Sequence, residues 1–354
     1  MTDLLARTAA LIDVPSVSFA ERDLADLIEA ELRSSPWLTV DRVGDNVVAR
    51  TTLDRAMRIV LAGHTDTVPV NGNASARIEG DTLWGLGATD MKSGLAVMLE
   101  LARTVAEPVV DVTYVFYAAE EVAAEHNGLK VLFAERPDLL AGDVALLGEP
   151  TSAAIEAGCQ GTLRIEITMA GVRAHTARPW MGRNAIHRLG RLLAVLDGFE
   201  ARRPVIAGCE YREAVQAVAV AGGVAGNVVP DQATVTINHR FAPDRTATEA
   251  EAALRVVLAP VLEEGDTWTL VDAADGGAPA IDHPLLAALI ERNGLPVLAK
   301  LGWTDVARFA AHGIPAANFG PGEATLAHTA DERVDRAPIE RCFAALDDLL
   351  RHGA

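Results

Sequence analysis

The chain has 354 residues, half of them hydrophobic and under a quarter charged, which is long enough for two domains with separate cores and too apolar for a disordered protein. A formal net charge of −18 excludes a nucleic-acid binder, because phosphate recognition needs patches of Lys and Arg, and argues against an anionic membrane surface. No apolar run reaches the length of a bilayer span, the N-terminal stretch carries Asp3 and Arg7 and no leader pattern, and Cys159, Cys209 and Cys342 are scattered, so the expectation is a cytoplasmic protein with reduced thiols.

The first residues read as a short amphipathic helix. Residues 58–62 (RIVLA) are a short apolar strand that ends at GHTDTVP. Residues 91–105 carry apolar side chains at helical spacing, 109–118 (VVDVTYVFYA) are β-branched and aromatic, and 143–147 (DVALL) form another strand. This alternation predicts an α/β sheet covered by helices. At 162–170 (TLRIEITMA) the pattern changes to period two, the mark of a half-exposed strand. A helix at 184–197, strands at 215–221 and 233–241 and a helix near 247–260 follow. Together they predict an antiparallel sheet with two helices on one face. After DGGAPA at 275–280 the α/β character returns, and the last helix is 337–351. The predicted organisation is an α/β domain over 1–162 and 276–354, interrupted by an α+β domain over 163–275.

The residues that could carry chemistry stand where strands end. His64 and Asp66 follow the first strand, Glu120 and Glu121 the second, and Glu149 the third. Asp90 precedes a helix in GLGATDMKSG, and His328 lies in GPGEATLAHTADE. Open α/β sheets form their sites at the carboxyl ends of strands. Singly these signals are ordinary: HxD is common, an EE pair usually sits in solvent, and Asp90 could cap its helix. Jointly they are a donor set. Two imidazoles and three carboxylates suit zinc. Five ligands are too many for one open catalytic ion and right for two that share a carboxylate. One member of the Glu pair could then ligate while the other moves a proton.

GHTDTVP, GLGATDMKSG, AAEEV, GEPT and LAHTADERV resemble, in that order, the motifs of the M20 family of zinc-dependent amidohydrolases and peptidases. The resemblance implies a zinc-peptidase-like α/β catalytic domain with an inserted lid and dimerisation domain. It implies two Zn2+ per subunit, with Co2+ able to take one site. His64, Asp90 and Glu149 would hold one ion and Asp90, Glu121 and His328 the other, Asp90 bridging. Asp66 would orient the His64 ring, Glu120 would be the general base, and the Asp90–Met91 peptide would be cis. His175 would reach the partner subunit's site in a homodimer and stabilise the oxyanion. Asn227, Arg240, Thr304 and Arg308 would recognise substrate. GWTDVARF at 302–309 and AHTARPWMGRNAIH at 174–187 are most similar to the short actinobacterial succinyl-diaminopimelate desuccinylases. That similarity implies removal of succinate from N-succinyl-LL-2,6-diaminopimelate. An acetylornithine deacetylase, an aminoacylase, a dipeptidase or carboxypeptidase, and more remotely a metal-free binding relative, are the alternatives. GCQGT departs from the longer desuccinylases, which carry basic residues where this chain has Cys159 and Gln160. The holder of the succinyl carboxylate is therefore open among Arg178, Arg183 and Arg308.

Overall fold

Runs of β-branched and aromatic residues build the sheet on which the candidate site stands. In the computed structural model, which describes residues 2–354, the chain divides into two units. One comprises residues up to Gly158, Pro279–Leu298 and Asp305–Ala354; the other comprises Cys159–Ala278 with Ala299–Thr304. The first is α/β and the second α+β. The chain breaks lie a few residues outside the predicted 162/163 and 275/276, and 299–304 joins the second unit rather than the first. Cys159 and Gly277 already pair as an isolated bridge, so the second unit begins before its period-two pattern does.

The first unit holds an eight-stranded sheet in the order Thr39–Val43, Asn46–Arg50, Asp111–Tyr117, Arg58–His64, Val144–Leu147, Ala316–Asn318, Ile155–Ala157 and Val297–Ala299. Its four inner strands, from Asp111–Tyr117 to Ala316–Asn318, run parallel. They are buried almost throughout, as parallel strands with covered faces must be. Ala62 stands opposite both Val115 and Leu147, and His64 opposite Tyr117. The carboxyl ends of three adjacent strands are thus level, about 4.8 Å apart. His64, Glu120/Glu121 and Glu149 all lie at or just beyond that edge.

The helix Ser93–Thr104 is buried from Ser93 through Ala102, the pattern of a core helix rather than a surface one. It packs against the sheet and against the helices Leu4–Ile12 and Arg336–His352. Its approach to the sheet needs glycine: a Cβ on Gly94 would lie 2.4 Å from the Gly148 carbonyl oxygen. The glycines of MKSG and LGEP therefore let the segment carrying Asp90 close onto the one carrying Glu149.

The second unit is a four-stranded antiparallel sheet, in the order Ala214–Gly222, Gln232–Phe241, Gly161–Ala170 and Thr267–Ala274. Strict alternation along Gly161–Ala170 and Gln232–Phe241 puts Leu163, Ile165, Ile167, Val235 and Ile237 into a core with Leu189, Leu192, Leu254 and Leu258. These leucines come from the helices Ala185–Asp197 and Ala247–Leu258, the second begun by a Thr246/Glu249 capping box. The uncovered face carries Thr162, Arg164, Asn238 and Arg240. The edge strand Ala214–Gly222 is exposed beyond its second residue.

Two glycine substitutions separate close packing from backbone propensity. Gly94→Ala should cost about 1–3 kcal/mol of overpacking. Gly190→Ala, on a helical position with nothing within 4 Å of the added Cβ, should stabilise by up to about 1 kcal/mol. Urea unfolding midpoints of the two variants check both signs.

Candidate metal centre

His64 closes its strand fully buried. Its Nδ1 lies 3.0 Å from the Asp66 carbonyl oxygen and its Nε2 3.0 Å from Asp90 Oδ1. A carbonyl can only accept, so Nδ1 donates its proton to Asp66, which leaves Nε2 as the ring nitrogen turned toward the Asp90 carboxylate. The expected Asp66 carboxylate contact is longer, 3.5 Å from Nδ1, because that group is already occupied. It accepts the N–H groups of Glu120 and Glu121 at 2.9 and 3.1 Å and the Ser18 hydroxyl at 2.8 Å. Asp66 therefore joins the ends of two strands and orients His64 mainly through its own backbone.

Asp90 does not cap the following helix, whose N-cap is Lys92. It sits in non-helical backbone, and the Asp90–Met91 peptide is cis. Its two oxygens face different imidazoles: Oδ1 toward His64, and Oδ2 3.5 Å from His328 Nε2. His328 Nε2 is also 2.9 Å from Glu121 Oε1. Donor atoms of His64, Asp90 and Glu121 lie within 4.8 Å of one another. His328 joins through its contacts with Asp90 and Glu121. Glu149, also buried, is near enough for its charge to act on His64 and Glu120.

The electrostatics of this group call for cations. Burial pushes the Glu120 carboxyl well up; His64 opposes that, and Asp305, Glu149 and Glu121 add to it. Glu121 also moves up, by burial and the Asp90 charge, despite His64 and His328. Against its burial, Asp90 is driven down by its hydrogen bonds to His328 and His64. Crowded half-buried carboxylates around two imidazoles are costly unless positive ions offset them. The donor set, with each Asp90 oxygen turned to its own imidazole, fits a dinuclear site.

Sequence reasoning missed the group that holds Asp90 in place. Glu332, 1% exposed, accepts the backbone N–H groups of Gly87, Thr89 and Asp90 at 3.0, 3.0 and 3.1 Å. Its only sequence signal is its place in LAHTADERV, four residues after His328. Asp305 was missed as well: it is buried, takes the Asn127 side-chain N–H at 2.8 Å, and pairs with Arg308 Nε. Arg308, expected to meet substrate, thus commits one edge of its fork to Asp305. Of the other sequence-named residues, His175, Asn227, Arg240 and Thr304 stand on the second unit. His175 is exposed, and its Nδ1 accepts the Ala177 N–H at 3.0 Å, which leaves Nε2 as the protonated donor of the neutral ring. The Asn227 carbonyl accepts the Thr176 N–H at 3.0 Å. Arg183 pairs with Glu263.

The sequence model of peptidase family M20/M25/M40 matches residues 60–352. The chain belongs to that family. Among M20 relatives, a Mycobacterium tuberculosis protein provisionally named succinyl-diaminopimelate desuccinylase is 52% identical over 351 residues, 99% of this chain and 98% of the relative. The Corynebacterium glutamicum succinyl-diaminopimelate desuccinylase is 44% identical, covering 96% of this chain and 93% of its own. Solved structures share the M20 fold at lower identity. A Staphylococcus aureus tripeptidase has a TM-score of 0.80 at 20% identity, over 99% and 97% of the two chains. A Bacillus subtilis protein described as a dinuclear metal-binding peptidase has a TM-score of 0.73 at 19% identity, over 98% and 96%.

The carboxylates around His328 raise its pKa to about 9, first through the Asp90 hydrogen bond and then, against burial, through Glu121. The folded value is above the unfolded one near 6.5, so this contribution is complete below about pH 6.5 and is lost as pH rises through about 9. Metal-free protein should lose stability across that window, and His328→Gln should flatten the loss. Denaturation midpoints against pH, for both proteins after chelation, check it.

Proposed function

We propose that this chain hydrolyses the amide of N-succinyl-LL-2,6-diaminopimelate, releasing succinate and LL-2,6-diaminopimelate, a step toward lysine and peptidoglycan precursors. The observation that carries the reading is near-full-length identity of 52% and 44% to relatives bearing that enzyme's name, in a chain that retains the complete donor set. The peptidases among the solved structures are 20% identical or less and speak for the fold alone. A metal-free binding role has no support in a chain that keeps every donor and Glu120. No described helix is long and apolar enough to cross a membrane, and we assign the reaction to the cytoplasm.

His64, Asp90 and Glu149 would hold one Zn2+ and Asp90, Glu121 and His328 a second, with Co2+ able to replace one of them. So held, the two ions would lower the pKa of a water and polarise the scissile carbonyl. Glu120, adjacent to Glu121 but free of His328, takes the proton of the attacking water and delivers it to the leaving amine. Its backbone N–H is fixed by Asp66 at 2.9 Å, so the base is placed by the same carboxylate that orders the His64 loop. Attack at the carbonyl carbon generates an oxyanion. The partner subunit's His175 donates its Nε2–H to that oxygen, in the tautomer that Ala177 imposes. Asn227, Arg240, Thr304 and Arg308 bind the remainder of the substrate.

A homodimer through the second unit agrees with its exposed edge strand. Val218 and Val220, both 57% exposed, present apolar surface beside unpaired backbone groups, which a monomer would have to shield.

Three measurements bear on this reading. A panel of N-succinyl-LL-2,6-diaminopimelate, N-acetylornithine, N-acyl amino acids and dipeptides, assayed with zinc restored, should give the highest kcat/KM for the first; preference for another member overturns the assignment. Glu120→Gln should lose at least about 10²–10⁴-fold in kcat while metal analysis still finds two ions per chain. Val220→Lys should shift light-scattering mass toward the monomer and lower kcat as His175→Ala does, by about 10²–10³-fold.

A further inference from the structure

The first residues of the second unit contain a buried polar group without a partner. Gln160 is fully buried, and neither its amide nitrogen nor its amide oxygen makes a hydrogen bond within the protein. A buried amide left in that state bears its desolvation penalty uncompensated, so it calls for a ligand or ordered water. Thr304 repeats the feature: it is buried and its hydroxyl is unpartnered. The two are neighbours through Cys159, whose Sγ contacts the Thr304 carbonyl at 3.7 Å.

Positive charge stands on the sheet into which Gln160 leads. Arg240 is half-buried on the uncovered sheet face, opposite Thr162, and Arg164 is opposite Asn238 on the same face. The two arginines are diagonal neighbours across one strand pair, a spacing that long side chains bridge. Arg240 is close enough to Cys159 and Arg164 to feel both, and burial followed by the Arg164 charge pulls its pKa down. Asp272, opposite Arg164, acts on Arg240 in the other direction, yet among the described residues neither arginine makes an ion pair. Most arginines of this unit are neutralised: Arg183, Arg188, Arg202 and Arg245 all pair with carboxylates. Two adjacent unpaired guanidiniums in a chain of net charge −18 are repelling charges kept for a ligand.

We propose that Arg164 and Gln160, hitherto without a role, complete with Arg240 and Thr304 a subsite on the second unit for the free carboxylate of a dicarboxylic acyl group. The guanidiniums supply the charge, and the Gln160 amide and Thr304 hydroxyl supply neutral hydrogen bonds at the buried end. This inference rests on the desuccinylase reading for its substrate. It answers how a chain with Gln160 in GCQGT holds a succinyl group: the cation stands at 164, in the strand that begins just after Gln160, instead of at 160.

The test uses zinc-loaded wild type, Arg164→Ala, Arg164→Lys and Gln160→Glu. Each is titrated calorimetrically with succinate and with butyrate, which lacks the second carboxylate, and assayed with N-succinyl-LL-2,6-diaminopimelate. Wild type should prefer succinate over butyrate by about tenfold or more, the worth of a charge-assisted hydrogen bond. Arg164→Ala should erase most of that preference and raise KM about tenfold or more with kcat within about threefold, the signature of lost uniform binding. Arg164→Lys should recover part of it, and Gln160→Glu, which puts a carboxylate against a carboxylate, should abolish succinate selectivity with the thermal midpoint of the protein retained. An unchanged succinate preference in both Arg164→Ala and Gln160→Glu overturns the subsite, as does absence of any preference in wild type. Selective succinate binding by a wild type that leaves the substrate uncleaved would sink the proposed reaction and leave the subsite standing.

Discussion

One carboxylate faces two imidazoles, and the first unit is arranged around keeping it there. Asp90 turns Oδ1 to His64 and Oδ2 to His328, which works only if its backbone cannot drift. Three consecutive constraints prevent that. Glu332 gathers the N–H groups of Gly87, Thr89 and Asp90 itself, Gly94 lets the following helix press onto the Gly148 carbonyl, and that helix is buried through ten residues. The loop that carries Asp90 is held by hydrogen bonds from its backbone to a buried acid, the kind of support that groups behind a metal's own ligands supply. Asp66 does for Glu120 and Glu121 what Glu332 does for Asp90. Two buried carboxylates therefore position the others without being exposed to substrate.

The parallel register explains why a short motif after each strand suffices to build such a centre. Because Arg58–His64 pairs in register with Asp111–Tyr117 and Val144–Leu147, a residue one to four positions past each strand end falls on one edge whatever lies between the strands in sequence. The histidine comes from the strand itself and the acids from the turns that follow. His328 arrives differently, from a loop at positive φ, and it is the most exposed of the group. It is therefore the donor whose protonation is most open to solvent and whose position depends most on the carboxylates it meets.

This distinction also separates what could be read in the sequence from what could not. The ligand-type residues stood out because strand ends are marked by β-branched runs and because several His, Asp and Glu, each ordinary alone, gather at those ends. The two-unit organisation was legible from the change of apolar period at residue 162. Glu332, Ser18 and Asp305 were not, since each acts on backbone or on another side chain, and an acid that caps N–H groups looks like any other acid in a loop. The orientation of His64 by the Asp66 carbonyl rather than its carboxylate was hidden for the same reason. The hairpin of Thr39–Val43 and Asn46–Arg50 also escaped notice, its outer strand being half-exposed along its length and carrying no apolar stripe. Gln160 was visible only as a departure from the pattern of the longer desuccinylases; that its amide lacks a partner is a fact of packing.

The charge balance gives the two units different tasks. The first concentrates carboxylates, which suits cations and repels an anionic acyl substrate. The chain as a whole, at −18, extends that repulsion to long range, so encounter with an anion is slowed rather than steered. Affinity for such a substrate must then come from short-range groups that are not already neutralised. Most arginines fail that condition: Arg58 lies against Asp111, Arg308 against Asp305 and Arg188 against Asp266. Arg164 and Arg240 meet it, on a sheet face that no helix covers. Leaving them unpaired costs the free protein some electrostatic energy, and a carboxylate that relieves this repulsion gains affinity that a neutral acyl chain cannot, which is the physical basis for discriminating succinyl from acetyl.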